Sequence, residues 1–350
     1  MATLRQQIAQ MLIMGFSGTT GEKSPIKQWL SDNSLGGVLL FDYDLITQQQ
    51  GKNLTDRPQI QSLIQQLHRA NNSLGEKTPP LFIAIDYEGG AVDRLKYIDG
   101  CMTTVSPADL ANFSQKELHS EMHRMAETIQ SLGFNLNFAP VVDLDLNQEK
   151  GIIGKLKRSF SANPEQVAKV ATQFVEIFAQ HKITCCYKHF PGHGSATGDT
   201  HEGFVDVTST FQLRELEPYK IIFNGSNRPA MVMTAHVINR QLDADGLPAT
   251  LSKSILTGLL RQELSFDGVI ISDDLQMHAI AKHYSMEEAL CLTINAGADM
   301  VIFANQLAEI TPYEVIEQIE KLVQANKISE ERIAEAYHRI MRLKQDQLLK

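Results

Sequence analysis

Cysteine is scarce in this chain of 350 residues, where only Cys101, Cys185, Cys186 and Cys291 occur. None has metal-ligand spacing, and neighbours such as Cys185 and Cys186 would point to opposite faces of a strand, so they read as reduced core residues rather than disulfides. Charge is modest as well. The formal balance is -9, and the lysines and arginines are scattered rather than gathered into a basic stripe, which excludes nucleic acid as an expected partner. No apolar run is long enough to cross a bilayer, so no membrane association is expected. The run at 11–16, after a polar opening, is too short for the core of a signal peptide, which leads to the expectation of a cytoplasmic protein. Gly-x-Ser-x-Gly, Gly-x4-Gly-Lys-Ser/Thr and Gly-x-Gly-x2-Gly are all missing, which removes the serine-hydrolase elbow, the phosphate-binding loop and the dinucleotide turn. No cofactor is expected.

What is present is a 43% hydrophobic share, enough for a large core, distributed in short β-type runs. These lie at 10–16, 37–41, 81–86, 134–140, 183–189, 230–236, 268–273 and 300–304, with helix-compatible segments between most of them. At 164–179, for instance, Val167, Val170, Ala171, Phe174, Val175 and Phe178 recur at helical spacing. Continuous apolar strands separated by helices predict a parallel sheet covered on both faces, and eight such units fit a closed (β/α)8 TIM-type barrel better than an open doubly wound sheet. The placement of polar residues favours the barrel. Asp42 and Asp44, Asp86 and Glu88, Asp143 and Asp145, Lys188 and His189, His236, Asp273 and Asp274, and Asn305 all fall at or just past the end of a run, as on the catalytic rim of a barrel. No linker divides the chain, so residues 1–350 read as one catalytic barrel, with helices over 312–350 closing it.

The densest chemistry lies at 188–201, where three histidines, an aspartate and three glycines follow an apolar run. In Asp199-Thr200-His201, positions i and i+2 share a face if the chain is extended, so Asp199 could orient His201 as a general acid and base on a glycine-rich, movable loop. A metal site is the rival reading, since His189, His193, Asp199 and His201 are all competent ligands. Pro191 and Gly192 exclude the helical His-x3-His pair, and no metal is expected. Asp273, at the end of an apolar strand, could act as a nucleophile or cap the following helix; Asp274 reads as that cap. Asp86 with Arg94, Arg158, and the pair Lys188 and His189 suit paired hydrogen bonds to hydroxyl-rich ligands, although surface salt bridges would explain the arginines equally. His236 is either a further sugar contact or a satisfied buried histidine.

Taken together, the segments 85–90, 137–143, 157–160, 188–194, 199–201, 233–237, 272–275 and 296–299 resemble, in order and over nearly the whole chain, the family 3 glycoside hydrolases in their bacterial β-N-acetylglucosaminidase branch. The resemblance implies a single (β/α)8 barrel, expected to be monomeric. It would remove terminal β-linked N-acetylglucosamine with retention from muropeptides or chitin-type oligosaccharides. It assigns Asp273 as nucleophile, His201 as acid/base and Asp199 as the histidine's partner. Asp86, Arg94, Arg158, Lys188 and His189 match sugar-binding positions, and His236, in the segment 233–237, is counted with them. Two positions depart from the family pattern: Tyr87 replaces a usual glutamine and Ala91 a usual arginine, so contacts with substrate are expected to differ there. A phosphorylase or β-glucosidase on the same scaffold, a metal-dependent hydrolase, and a sugar-binding protein without catalysis are the alternatives.

Overall fold

The eight apolar runs form the eight parallel strands of one closed barrel in the computed structural model, which describes residues 2–75, 77–200, 203–225 and 230–348. The strands are β1 (Leu12–Met14), β2 (Gly37–Leu39), β3 (Phe82–Ile85), β4 (Leu136–Asn137), β5 (Thr184–Phe190), β6 (Met231–Thr234), β7 (Val269–Asp274) and β8 (Met300–Phe303). Each pairs with its neighbour in chain order, and β8 returns to β1 with Ile13 opposite Ile302. Every strand is buried along most of its length because helices cover the outside and side chains fill the inside.

Two irregularities of register shape the rim. Between β5 and β6, Tyr187 pairs with Val232 and Phe190 with Thr234, so β5 carries one extra residue at Lys188 and His189. Between β7 and β8, Ile271 pairs with Met300 and Asp274 with Ile302, which puts an extra residue at Ser272 and Asp273. Such bulges re-aim side chains at strand ends. Strict alternation would send Lys188 and His189 to opposite faces; here both line one cavity.

The helices follow their patterns closely. Pro164–Gln180 starts where Asn163 accepts the Gln166 N–H at 3.0 Å and Pro164 takes the first turn, whose N–H groups need no helical partner. The closing helices are Pro312–Gln324 and Glu330–Leu348. The second buries Ile333, Ala336, Ile340 and Leu343 together with Lys344. Lys344 donates to Gln10 Oε1 at 2.7 Å and to the Gly36 carbonyl at 2.8 Å, and burial pushes its pKa well below the usual ammonium value.

Two arginines clamp this helix to the barrel floor, and a third, Arg261 of the segment Ser254–Glu263, joins them at the same anion. Asp299, fully buried just before β8, accepts from Arg332 Nη2 at 2.7 Å, from Arg339 Nη1 at 3.2 Å, from Arg261 Nη2, and from the Ile270 N–H at 3.0 Å. Removing this buried anion would leave three guanidinium groups facing each other, with only the exposed Glu335 carboxylate beside Arg332 and Arg339. Asp299→Asn should therefore lower the unfolding free energy by about 3–5 kcal/mol in urea titration; a loss under about 1 kcal/mol would mean the arginines are held by other groups.

Candidate active site

A cavity of about 440 Å³ opens at the C-terminal ends of the strands. One wall comes from the β3, β4 and β5 side and is a network of buried ions. Glu88, after β3, accepts Arg158 Nε at 2.8 Å and Arg158 Nη2 at 2.7 Å in a two-pronged pair. Lys188 Nζ lies 2.7 Å from Glu88 Oε1 and 3.1 Å from Asp86 Oδ1. Arg94 spans Asp86, at 3.6 Å, and Asp42, at 3.7 Å, with its guanidinium 5.4 Å above the Phe41 ring. Burial opposes the Glu88 anion, but Arg158 and then Lys188 outweigh it and hold the carboxyl well below the usual range. Glu88 in turn raises the pKa of both cations against the effect of their own burial.

His189 completes this wall. Its Nδ1 lies 2.7 Å from Asp143 Oδ2, and its Nε2 lies 3.4 Å from Arg158 Nη2. A guanidinium only donates, so Nε2 is the acceptor in that contact and Nδ1–H points to Asp143. Burial works against the Asp143 anion, but His189 beside it and the His193 backbone N–H, at 2.8 Å, keep its carboxyl below the usual range. The His193 ring lines the cavity with Nδ1 unbonded among the described residues, and burial pushes its pKa down to about 4, so it is neutral at pH 7. Gly194 serves close packing at this point: a Cβ there would lie 2.0 Å from the Leu144 carbonyl oxygen, well inside contact. Residues 192–196 are buried, so the first half of the glycine-rich stretch is packed core rather than the open loop expected from its composition.

Across the barrel, Asp273 at the β7 bulge faces the same cavity, accepting its neighbour's N–H at 2.8 Å on Oδ1. Asp199 and Thr200 also line it, and the Thr200 carbonyl accepts the Ala279 N–H at 3.3 Å, tying the loop after β5 to the segment after β7. His201 lies outside the described residues. The cavity thus brings together Asp86, Arg94, Arg158, Lys188, His189, Asp199 and Asp273 from segments far apart in the chain.

The N-terminal domain model of glycosyl hydrolase family 3 matches residues 3–343. The chain belongs to this family. Beta-hexosaminidase A of Pseudoalteromonas piscicida is 32% identical, over 98% of this chain and 61% of that protein. A beta-hexosaminidase of Idiomarina loihiensis is 31% identical, over 81% of this chain and 80% of that protein. Among solved structures, a family 3 beta-N-acetylglucosaminidase from a Paenibacillus species superposes with a TM-score of 0.87 at 31% identity, over 99% of this chain and 63% of that one. The chain therefore spans about three fifths of the first relative and of this structure, and four fifths of the second relative.

Within the family 3 barrel, two sequence expectations need correction. His236 does not line the cavity: it is fully buried, with Nδ1 2.8 Å from Thr250 Oγ1 and Nε2 2.8 Å from the Asp274 carbonyl. A carbonyl only accepts, so Nε2 carries a proton and the ring fixes the backbone next to Asp273. Asp274 is not a helix cap, because the next helix, His278–Ala281, is capped at Met277; its Oδ1 instead accepts the Gln276 N–H at 3.0 Å and the Ala304 N–H at 3.1 Å, binding β7 to the end of β8. His236→Leu should cost about 1–3 kcal/mol in urea unfolding, since it strands a buried carbonyl. An unchanged midpoint would mean that another donor reaches the Asp274 carbonyl.

Tyr87 and Ala91, the two positions that depart from the family pattern, also lie away from the cavity. Tyr87 is fully buried and Ala91 is exposed, and neither lines the cavity. Of the residues weighed as metal ligands, His189 is engaged by Asp143 and Arg158, and among the described residues no group of three or more His, Cys, Asp or Glu side chains could hold a metal ion. Glu88 and Asp143 are the functional groups to which the sequence assigned no role. Both stood among the polar strand ends, the only signal available for them.

Proposed function

We propose that this family 3 barrel is an exo-acting β-N-acetylhexosaminidase that releases terminal β-linked N-acetylglucosamine with retention of configuration, from muropeptides or chitin-type oligosaccharides. The observation that carries this reading is the opposition of Asp273 on β7 to the array of Asp86, Arg94, Arg158, Lys188 and His189, across a single cavity. β3 and β7 lie diametrically apart in the ring, so a pyranose gripped by its hydroxyls on one wall presents its anomeric carbon to the carboxylate on the other. The names of the relatives support the N-acetylhexosamine part of the reading.

In the first displacement, a carboxylate oxygen of Asp273 bonds to C1 through an oxocarbenium-like transition state, while His201, oriented by Asp199, gives its proton to the departing glycosidic oxygen. In the second, His201 takes a proton from water, whose oxygen attacks C1 and breaks the ester to Asp273. Two inversions give net retention.

The decisive assay follows release of an aryl alcohol from an aryl β-N-acetylglucosaminide, with NMR detection of the first-formed anomer. Hydrolysis to the β-anomer is expected. A folded protein that releases no aryl alcohol, or that forms the α-anomer first, would overturn the reading. Comparing release from anhydro-muropeptides and from chitobiose ranks the two substrate classes, while turnover that needs added phosphate would identify a phosphorylase instead.

A further inference from the structure

Two loops at the mouth of the cavity carry exposed aliphatic side chains. The hairpin of Tyr43–Asp44 and Gln49–Gln50, after β2, holds Leu45 at 47% exposure, and the loop after β8 holds Leu307 at 36%. Both leucines line the cavity. A single exposed leucine needs no explanation, but these two are held in place from beneath. Gln306, only 6% exposed, donates from Nε2 to the Tyr43 carbonyl at 2.9 Å and accepts the Leu45 N–H on Oε1 at 3.1 Å. Asp44 Oδ1 accepts the Ile46 N–H at 2.9 Å, and the buried Lys52 ammonium donates to the Asn305 carbonyl. One buried amide and one buried ammonium thus join the two loops into a rigid unit, and that unit keeps apolar surface facing the cavity rather than folding it away.

The chemistry gives this surface a direction. A nucleophile at C1 attacks from the side opposite the breaking bond. With the terminal sugar held in the cavity between Asp273 on β7 and the anchors on β3 to β5, its aglycone lies at the mouth, where Leu45 and Leu307 stand. Leu45 follows β2, next to β3, and so borders the polar wall where Arg94 reaches Asp42, while Asp44 and Lys52, 3.8 Å apart, are occupied with the loop backbones.

We propose that Leu45 and Leu307 form the leaving-group subsite, and that it selects β-N-acetylglucosaminides whose aglycone carries an alkyl or aryl group over those whose aglycone is an unsubstituted sugar. The proposal rests on the β-N-acetylhexosaminidase reading above and deepens it. Gln306 acts as a positioning residue for the subsite.

The test measures kcat/KM for methyl, butyl and hexyl β-N-acetylglucosaminides and for chitobiose. In the wild-type chain, kcat/KM should rise about tenfold or more from methyl to hexyl, and hexyl should exceed chitobiose. In Leu45→Ser combined with Leu307→Ser, the hexyl-to-methyl ratio should fall to within about twofold of one, and Gln306→Ala should lower it part of the way. A flat wild-type series, or a preference for chitobiose over hexyl, overturns the subsite while leaving the hydrolase standing. Absence of hydrolysis of every glycoside, the aryl one included, removes the activity and the subsite together.

Discussion

Asp273→Ala should lower kcat by on the order of 10⁴ to 10⁶, the loss typical when a covalent nucleophile is removed, while N-acetylglucosamine still binds within a few-fold. Binding should survive because the sugar-gripping groups belong to the opposite wall, where Glu88 organises Arg158 and Lys188 independently of β7. The sharper readout is chemical rescue. Azide can enter the space left by the carboxylate and attack C1 from the same face, so the variant supplied with azide and an activated aryl glycoside should form the α-glycosyl azide. That product requires Asp273 to have stood on the α face at bonding distance from C1. Formation of the β-azide, or wild-type turnover without azide, would take the nucleophile role away from Asp273.

The reason Asp273 could be singled out in the sequence also explains what could not. An apolar run ending in a carboxylate marks a strand end, and eight such runs spaced by helical patterns mark a closed ring, so the barrel and most of its rim were legible from local pattern. The direction of a side chain at that rim was not. Lys188 and His189 both face the cavity only because β5 carries an extra residue against β6, and a bulge leaves no composition signal. Partnerships across the ring were equally hidden: Glu88 and Arg158 are 70 positions apart, and only the closure of the barrel makes them a pair. His236 shows the converse. A histidine in a family-like segment at a strand end suggested a ligand contact, yet the Thr250 hydroxyl and the Asp274 carbonyl, contributed by later segments, absorb both of its nitrogens.

Glu88→Gln should be the most damaging substitution outside the reacting groups. The carboxylate is 3% exposed and serves two buried cations at once, whereas an amide presents one carbonyl oxygen and an NH₂ that repels the guanidinium it must face. Unfolding free energy should fall by about 3–5 kcal/mol, and kcat/KM by on the order of 10², mainly through KM, as Arg158 and Lys188 leave their positions beside the sugar. The pH dependence separates the charge from the packing. The folded carboxyl lies well below its ordinary value of 4.5, so below pH 4.5 the unfolded chain takes up a proton that the folded chain refuses. Its contribution is therefore complete above pH 4.5 and is lost as the pH falls below that point towards the folded value. Glutamine cannot take up that proton, so the wild-type advantage over Glu88→Gln in urea unfolding should narrow steadily between pH 5 and pH 3. If the two stability curves instead stayed parallel through that range, the loss would have to come from the fit of the side chain rather than its charge, and Arg158 and Lys188 would need another anion, Asp86, to hold them at the wall.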